Sequence, residues 1–269
     1  MNASPALLAF IAAAAPFGAR AADAPCRLAA PPEAVTAARA LDGETLALAD
    51  GREVRLAGVL APRLPLERDG DWPAGEEARR ALEAAAAGRT LVLRAADRPD
   101  RHGRLVGYLA APDATDHAGL SARLARSGAV RVAADRAGRD CGATLAAAES
   151  VARRQRLGLW AYPYYEVRDA ADAGAFADST GRFELAEGRV ASVRSAGGRT
   201  YVNFGARWRD ALALTISGNA LARLGGLAAL RIEPGARLRV RGVVERRLGP
   251  TISITEAAQV ERLANVVGR

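Results

Sequence analysis

Three short blocks hold the side chains of this chain best suited to chemistry. Asp42-Gly43-Glu44-Thr45 places two carboxylates and a hydroxyl side by side. Val54-Arg55-Leu56-Ala57-Gly58-Val59-Leu60-Ala61-Pro62 follows and runs into Arg63, and Asp100-Arg101-His102-Gly103-Arg104 adds a further arginine. A guanidinium stays charged at any relevant pH and presents paired donors that match phosphate oxygens. Carboxylates are the hard oxygen ligands that a divalent cation requires. A bland reading stands beside this one. Asp42-Gly43 is also a good turn, and Arg55 or Arg104 could be a rim arginine paired with Glu53 or Asp100.

Other chemistries find little support. His102 and His117 are the only histidines, and neither has metal-ligand spacing to a second His or Cys. A zinc site or a Ser-His-Asp arrangement thus finds little support in the sequence. No glycine loop that could cradle a phosphate is present, because Gly197-Gly198 and Gly225-Gly226 read as turn pairs.

The elements that must position these residues are mostly short strands. Val35–Ala40, Thr45–Leu48 and Val54–Val59 are β-type runs separated by Asp42-Gly43 and Asp50-Gly51. A polar loop over 64–74 leads to a helix at Gly75–Ala87, with Ala78, Leu82 and Ala85 at helical spacing. Thr90–Ala95 and Leu105–Ala110 read as two more strands around the charged turn 97–104. Helices follow at Leu120–Ser127, ended by Gly128, and at Thr144–Arg156, with Thr144 as N-cap. Five strands with interspersed helices predict a β-rich α+β unit built on a small OB-type barrel.

In order and spacing, the Asp-Gly-acid-Thr, Arg-Leu-x-Gly-Val-x-Ala-Pro and Asp-Arg-x-Gly-Arg blocks, closed by Gly158-Leu159-Trp160, resemble the thermonuclease (staphylococcal nuclease) family over residues 33–162. The resemblance implies a calcium-dependent phosphodiester hydrolase. It makes Arg55 and Arg104 the catalytic phosphate arginines, Glu44 a first calcium ligand (a Glu where the family has Asp) and Asp42 a nearby acid. It also shows departures. Leu60 stands where the family has a second calcium aspartate, and Arg63 where it has the glutamate near the attacking water. Two stacking tyrosines are replaced by Ala134 and Arg136. Asp42 and Glu44 against Arg55, Arg63 and Arg104 leave a pocket of net +1, which favours phosphate and disfavours Ca²⁺. Calcium binding is therefore expected to be weak or absent. Glu67, Asp69 or Asp71 on the following loop could swing back to replace the missing carboxylate.

Beyond Thr180 a second β-rich unit is expected, with strands at Phe183–Val193, Arg199–Phe204, Ala211–Ser217, Arg237–Glu245 and Thr251–Thr255 and a short helix at Asn219–Leu224. It reads as another small OB-like barrel over 181–269, joined by a linker, 163–180, packed against the first unit. Trp160, Tyr162, Tyr164 and Tyr165 read as core packing beneath that linker. Tyr201, Phe204 and Trp208, interleaved with Arg207 and Arg209, fit either a strand's core face or a platform for unpaired bases.

The chain has 269 residues and a formal charge of +8, with every basic residue an arginine. Residues 180–269 carry 15 Arg against 7 acids, so this third holds the whole excess, as a surface meeting a polyanion would. Residues 1–21, with an apolar run over 6–15 and Ala19-Arg20-Ala21, read as an export signal. That predicts a secreted or periplasmic protein with no membrane span. Cys26 and Cys141 are then either a disulfide or two separate buried thiols. Three functions remain open. One is a protein that engages DNA or RNA, single-stranded by preference, with hydrolysis weak or lost. The second is an active calcium nuclease using Glu44 and a loop acid. The third is a non-catalytic envelope scaffold that binds protein or acidic glycan.

Overall fold

The computed structural model describes residues 26, 28–63 and 72–264. The expected export signal and the loop acids Glu67, Asp69 and Asp71 lie outside the described residues. The first unit contains β1 (Glu33–Ala40), β2 (Thr45–Leu48), β3 (Glu53–Leu56), β4 (Val59–Leu60), α1 (Pro73–Ala86), β5 (Thr90–Ala95) and β6 (Leu105–Ala110). It continues with α2 (Gly119–Ser127), β7 (Arg131–Val132) and α3 (Gly142–Gln155).

Alternation builds the barrel. Leu91, Leu93 and Ala95 on β5, Leu46 and Leu48 on β2, and Val54 and Leu56 on β3 point inward and are buried. The strands close in the order β1-β2-β3-β6-β5, with β3 and β6 parallel and the other pairs antiparallel. This is the expected OB-type circuit. α1 lies across β1, where the Glu83 carboxylate accepts the Ala40 N–H.

Two local expectations are corrected. The run Val54–Val59 is not one strand. Gly58 is left-handed at φ +72°, and a Cβ there would come 2.5 Å from Leu145 Cδ1. The chain therefore breaks, and Val59–Leu60 pairs with β7 instead of continuing β3. Thr144 is not an N-cap either. α3 starts at Gly142, because a 3₁₀ turn over Arg139–Cys141 feeds straight into it. Cys26 and Cys141 are bridged, with Cα atoms 5.1 Å apart, which ties the start of the described chain to that turn.

The second unit comprises β8 (Arg168–Asp169), β9 (Phe183–Arg189), β10 (Ser192–Ala196), β11 (Arg199–Asn203), β12 (Ala213–Ser217), α4 (Gly218–Arg223), α5 (Gly226–Ala229), β13 (Arg237–Arg246), β14 (Pro250–Ser253) and β15 (Val260–Arg262). Its main sheet runs β10-β11-β12-β14-β13-β9, with β8 beyond β9 and β15 on β13. The two ends of that path, β9 and β10, are halves of one bent stretch. At the bend, the Val190 N–H bonds the Ala236 carbonyl on one side and the Ala191 N–H bonds the Asn203 carbonyl on the other. The circuit thus follows the first barrel's order, with β12 and β14 as the parallel pair and helices between its third and fourth strands.

Residues 163–180 do more than link. Tyr165 packs in a cluster with Trp160 and Leu185, whereas Ala170 and Phe176 enter the second core and β8 extends the second sheet. The two units share a charged, buried seam. Arg241 on β13, 2% exposed, sits 2.8 Å from Glu149 on α3, 1% exposed. Glu149 also accepts the Val132 N–H, and Arg139 makes a two-pronged bond to Glu256. No helix among the described residues is long and apolar enough to cross a membrane.

Candidate nucleic-acid site

Arg55 lies between the buried Val54 and Leu56, so strand alternation turns it outward on β3. Its register partner on β2 is Thr45, which brings the Asp42–Thr45 turn beside it. Arg104 comes from the turn before β6. Its Nε and Nη2 donate to Asp100 Oδ2 at 2.9 and 2.8 Å, and its Nη1 donates to the Thr45 hydroxyl at 3.2 Å. The same Asp100 oxygen lies 3.9 Å from Arg55 Nε, and Asp135 lies 3.4 Å from Arg55 Nη2. The structure thus brings the two predicted phosphate arginines together, with Asp100 between them.

Asp100 also organises the turn, since its Oδ1 accepts the N–H groups of His102 and Arg104. Burial alone would raise its pKa. The Arg104 guanidinium and the two backbone donors outweigh that and bring it down to about 2. In the sequence Asp100 reads only as a structural partner, and nothing marks Asp135. With both counted, the four acids Asp42, Glu44, Asp100 and Asp135 outnumber the three arginines by one. The expected +1 pocket is corrected accordingly. Asp135 escapes a sequence search because it is 80 residues from Arg55 and no motif marks it.

Glu44 does not stand ready for a metal. It is 1% exposed, with Oε2 accepting the Ala61 N–H at 2.7 Å and Oε1 accepting Arg63 Nη2 at 2.6 Å. Asp42 is committed locally, accepting the Glu44 N–H at 2.7 Å and the Thr45 hydroxyl at 3.1 Å. Among the described residues no group of three His, Cys, Asp or Glu could hold a metal ion. Calcium would have to displace Arg63, whose guanidinium already neutralises the one carboxylate suited to it. The described donor set does not fit Ca²⁺. Gly43 sits where a Cβ would come 2.6 Å from the Ala78 Cβ, which wedges this turn against α1.

Arg55 lines a cleft of about 750 Å³ together with Arg98, Arg136, Asp97, Asp100 and Asp135. Ala134 is buried, and Arg136 is exposed on the rim of that cleft. The sequence model of the family described as staphylococcal nuclease homologue matches residues 53–162. Those residues are similar to a staphylococcal nuclease homologue domain. The matched span begins at β3, so β1, β2 and the turn between them, which complete the nuclease-like barrel and hold Asp42, Glu44 and Thr45, precede it. No curated protein matches the chain.

Of the aromatic cluster, Trp160 and Tyr165 are buried as expected, whereas Tyr162 and Tyr164 are half-buried against them. Trp72, Tyr164 and Tyr165 meet edge to face, and Trp72 Nε1 donates to the Tyr165 hydroxyl. In the second unit Phe204 is buried in the core, while Tyr201 and Trp208 are exposed. That separates the proposed platform into a core residue and two surface rings.

Proposed function

We propose that this is an exported nucleic-acid-binding protein that engages phosphodiesters of a single-stranded polynucleotide through Arg55 and Arg104, with calcium-dependent hydrolysis weak or lost. The reading rests on the family of residues 53–162 and on one contrast within the site. Arg55 and Arg104 converge on one carboxylate oxygen of Asp100, while Glu44 is sealed by Arg63 and a backbone donor. A carboxylate shared by two guanidinium groups marks a place where an anion's oxygen is stabilised. A phosphate oxygen would take that place when Arg55 exchanges Asp135 and Asp100 for substrate. The exchange replaces charge-assisted bonds to carboxylates with charge-assisted bonds to a phosphate, so the arginine keeps bonds of the same kind without a metal.

The decisive experiment incubates the purified chain with single-stranded DNA, with Ca²⁺ and with a chelator, while fluorescence anisotropy follows binding. We expect binding that falls steeply with salt, is indifferent to chelator and is lowered about tenfold or more in Arg55→Ala. Strong chelator-sensitive cleavage that Arg55→Ala abolishes would establish the active nuclease instead, with a carboxylate from 64–71 completing its site. Absence of any salt-dependent nucleic-acid affinity would leave the scaffold reading.

A further inference from the structure

We propose that one end of the second unit is a docking surface for an anionic lipid bilayer. Trp208 and Leu248 enter the headgroup layer there, and the arginines beside them meet lipid phosphates. This goes beyond the function proposed above and does not depend on it.

Two loops build the surface. One joins β11 to β12 and is exposed from Ala206 to Asp210, and the other is the tip of the β13–β14 hairpin, exposed from Arg246 to Leu248. β12 and β14 run parallel, so the loops that lead into them come to the same end of the sheet. Gly249 lets them touch. A Cβ on it would come 2.6 Å from the Trp208 carbonyl oxygen and 3.3 Å from Arg209 Cα, so the two backbones lie against each other. Each loop is also anchored at its base. The Asp210 carbonyl accepts the Ala173 N–H at 3.0 Å, the Asp210 N–H donates to the Arg207 carbonyl at 3.1 Å, and the Thr251 hydroxyl donates to the Gly249 carbonyl at 3.2 Å.

The side chains at these tips do not suit water. Polar residues and glycine serve a turn well enough. Leu248 is nevertheless 71% exposed, the most of any large apolar side chain among the described residues, and Trp208 is 39% exposed. Arg207, Arg209, Arg246 and Arg247 flank them against Asp210 and Glu245, which leaves two positive charges in excess. Arg247 is bonded to Glu245 at 3.3 Å, whereas Arg207, Arg209 and Arg246 make no ion pair among the described residues. An indole at headgroup depth, an aliphatic chain beside it and guanidiniums on phosphate hold a peripheral protein to a negative membrane.

Unpaired bases fit this surface less well. They stack on a run of open rings. Here Phe204 is buried, Tyr201 stands on β11, and Trp208 is on the loop beyond, with Arg209 over its ring at 5.0 Å. Leu248 offers no ring at all.

Flotation of the full chain tests this, with vesicles of phosphatidylcholine alone or mixed in equal parts with phosphatidylglycerol. The mixed vesicles should bind at least about tenfold more tightly. Arg207→Ser combined with Arg246→Ser should weaken that binding about 25-fold, about fivefold for each arginine near a negative surface, and added salt should shrink the difference. Leu248→Ser should weaken it about tenfold, with a loss that salt leaves in place. A brominated lipid should quench the tryptophan emission, and Trp208→Phe should abolish the quenching, because Trp160 is buried and Trp72 packs against Tyr164 and Tyr165. The proposal is overturned if the mixed vesicles do not bind, if the arginine and leucine variants bind them like the wild type, or if the brominated lipid leaves emission unchanged. It is also overturned, in favour of a nucleic-acid surface, if Leu248→Ser lowers affinity for single-stranded DNA and leaves vesicle binding intact.

Discussion

At the residue scale, the site is a chain of carboxylates and guanidiniums in which each acid has a defined job. Asp42 folds the turn, Glu44 holds Ala61 and Arg63, and Asp100 joins Arg104 to Arg55. The depressed pKa of Asp100, about 2, has a consequence for stability. A carboxylate with a lowered folded-state pKa contributes stability that is complete above its unfolded value of about 3.9 and is lost as pH falls through the folded one. The urea midpoint of the wild type should therefore drop between about pH 4 and about pH 2. Asp100→Asn should begin lower at neutral pH and lose less over that interval. Glu44 supports a second prediction. Leu60→Asp combined with Arg63→Glu removes the guanidinium from Glu44 and adds two carboxylates beside it. Calorimetry should then show Ca²⁺ binding that is stronger than in the wild type and that disappears with Glu44→Ala.

At the element scale, the strand order and one close approach set the geometry. β2 and β3 present Thr45 and Arg55 side by side only because both strands bury their alternate residues in the same core. The turn that precedes Thr45 is held against α1 through Gly43, whose missing side chain leaves room for the Ala78 and Ala61 methyls. Gly43→Ala would overpack that contact and should cost about 1–3 kcal/mol, measurable as a lower denaturation midpoint. It should weaken nucleic-acid binding as well, because Thr45 and its bond to Arg104 move with the turn.

At the scale of the molecule, a closed barrel and a second sheet whose strands follow the same order are joined by a buried ion pair between Glu149 and Arg241. Removing one member of such a pair leaves the other charged and unpaired, typically a loss of about 3–5 kcal/mol. Arg241→Met alone should therefore lower the melting temperature strongly and split a single calorimetric transition into two. Adding Glu149→Leu should recover much of the loss, since replacing both partners with apolar groups removes the unpaired charge. If the double variant is no better than the single one, the ion pair does not couple the units.

The sequence by itself determined where the five barrel strands and α2 lie, apart from the end of β3, and that Trp160 and Tyr165 are core, because alternation, helical spacing and glycine stops are local signals. β5 and β6 fall where their apolar patterns begin and end. The departures Leu60 and Arg63 are legible for the same reason, since motif order exposes a missing carboxylate directly. Tertiary structure alone decided what each charge meets. Asp135 reaches Arg55 across 80 residues, Glu256 reaches Arg139 across 117, and Arg241 crosses from the second unit to the first to find Glu149. The break at Gly58 was likewise settled by packing against Leu145, which no window of neighbouring residues contains. Electrostatic partners are chosen by distance in space and by the water excluded around them. A net charge counted along the chain therefore gave +1 where the folded site, with Asp100 and Asp135 in place, holds one more acid than arginine.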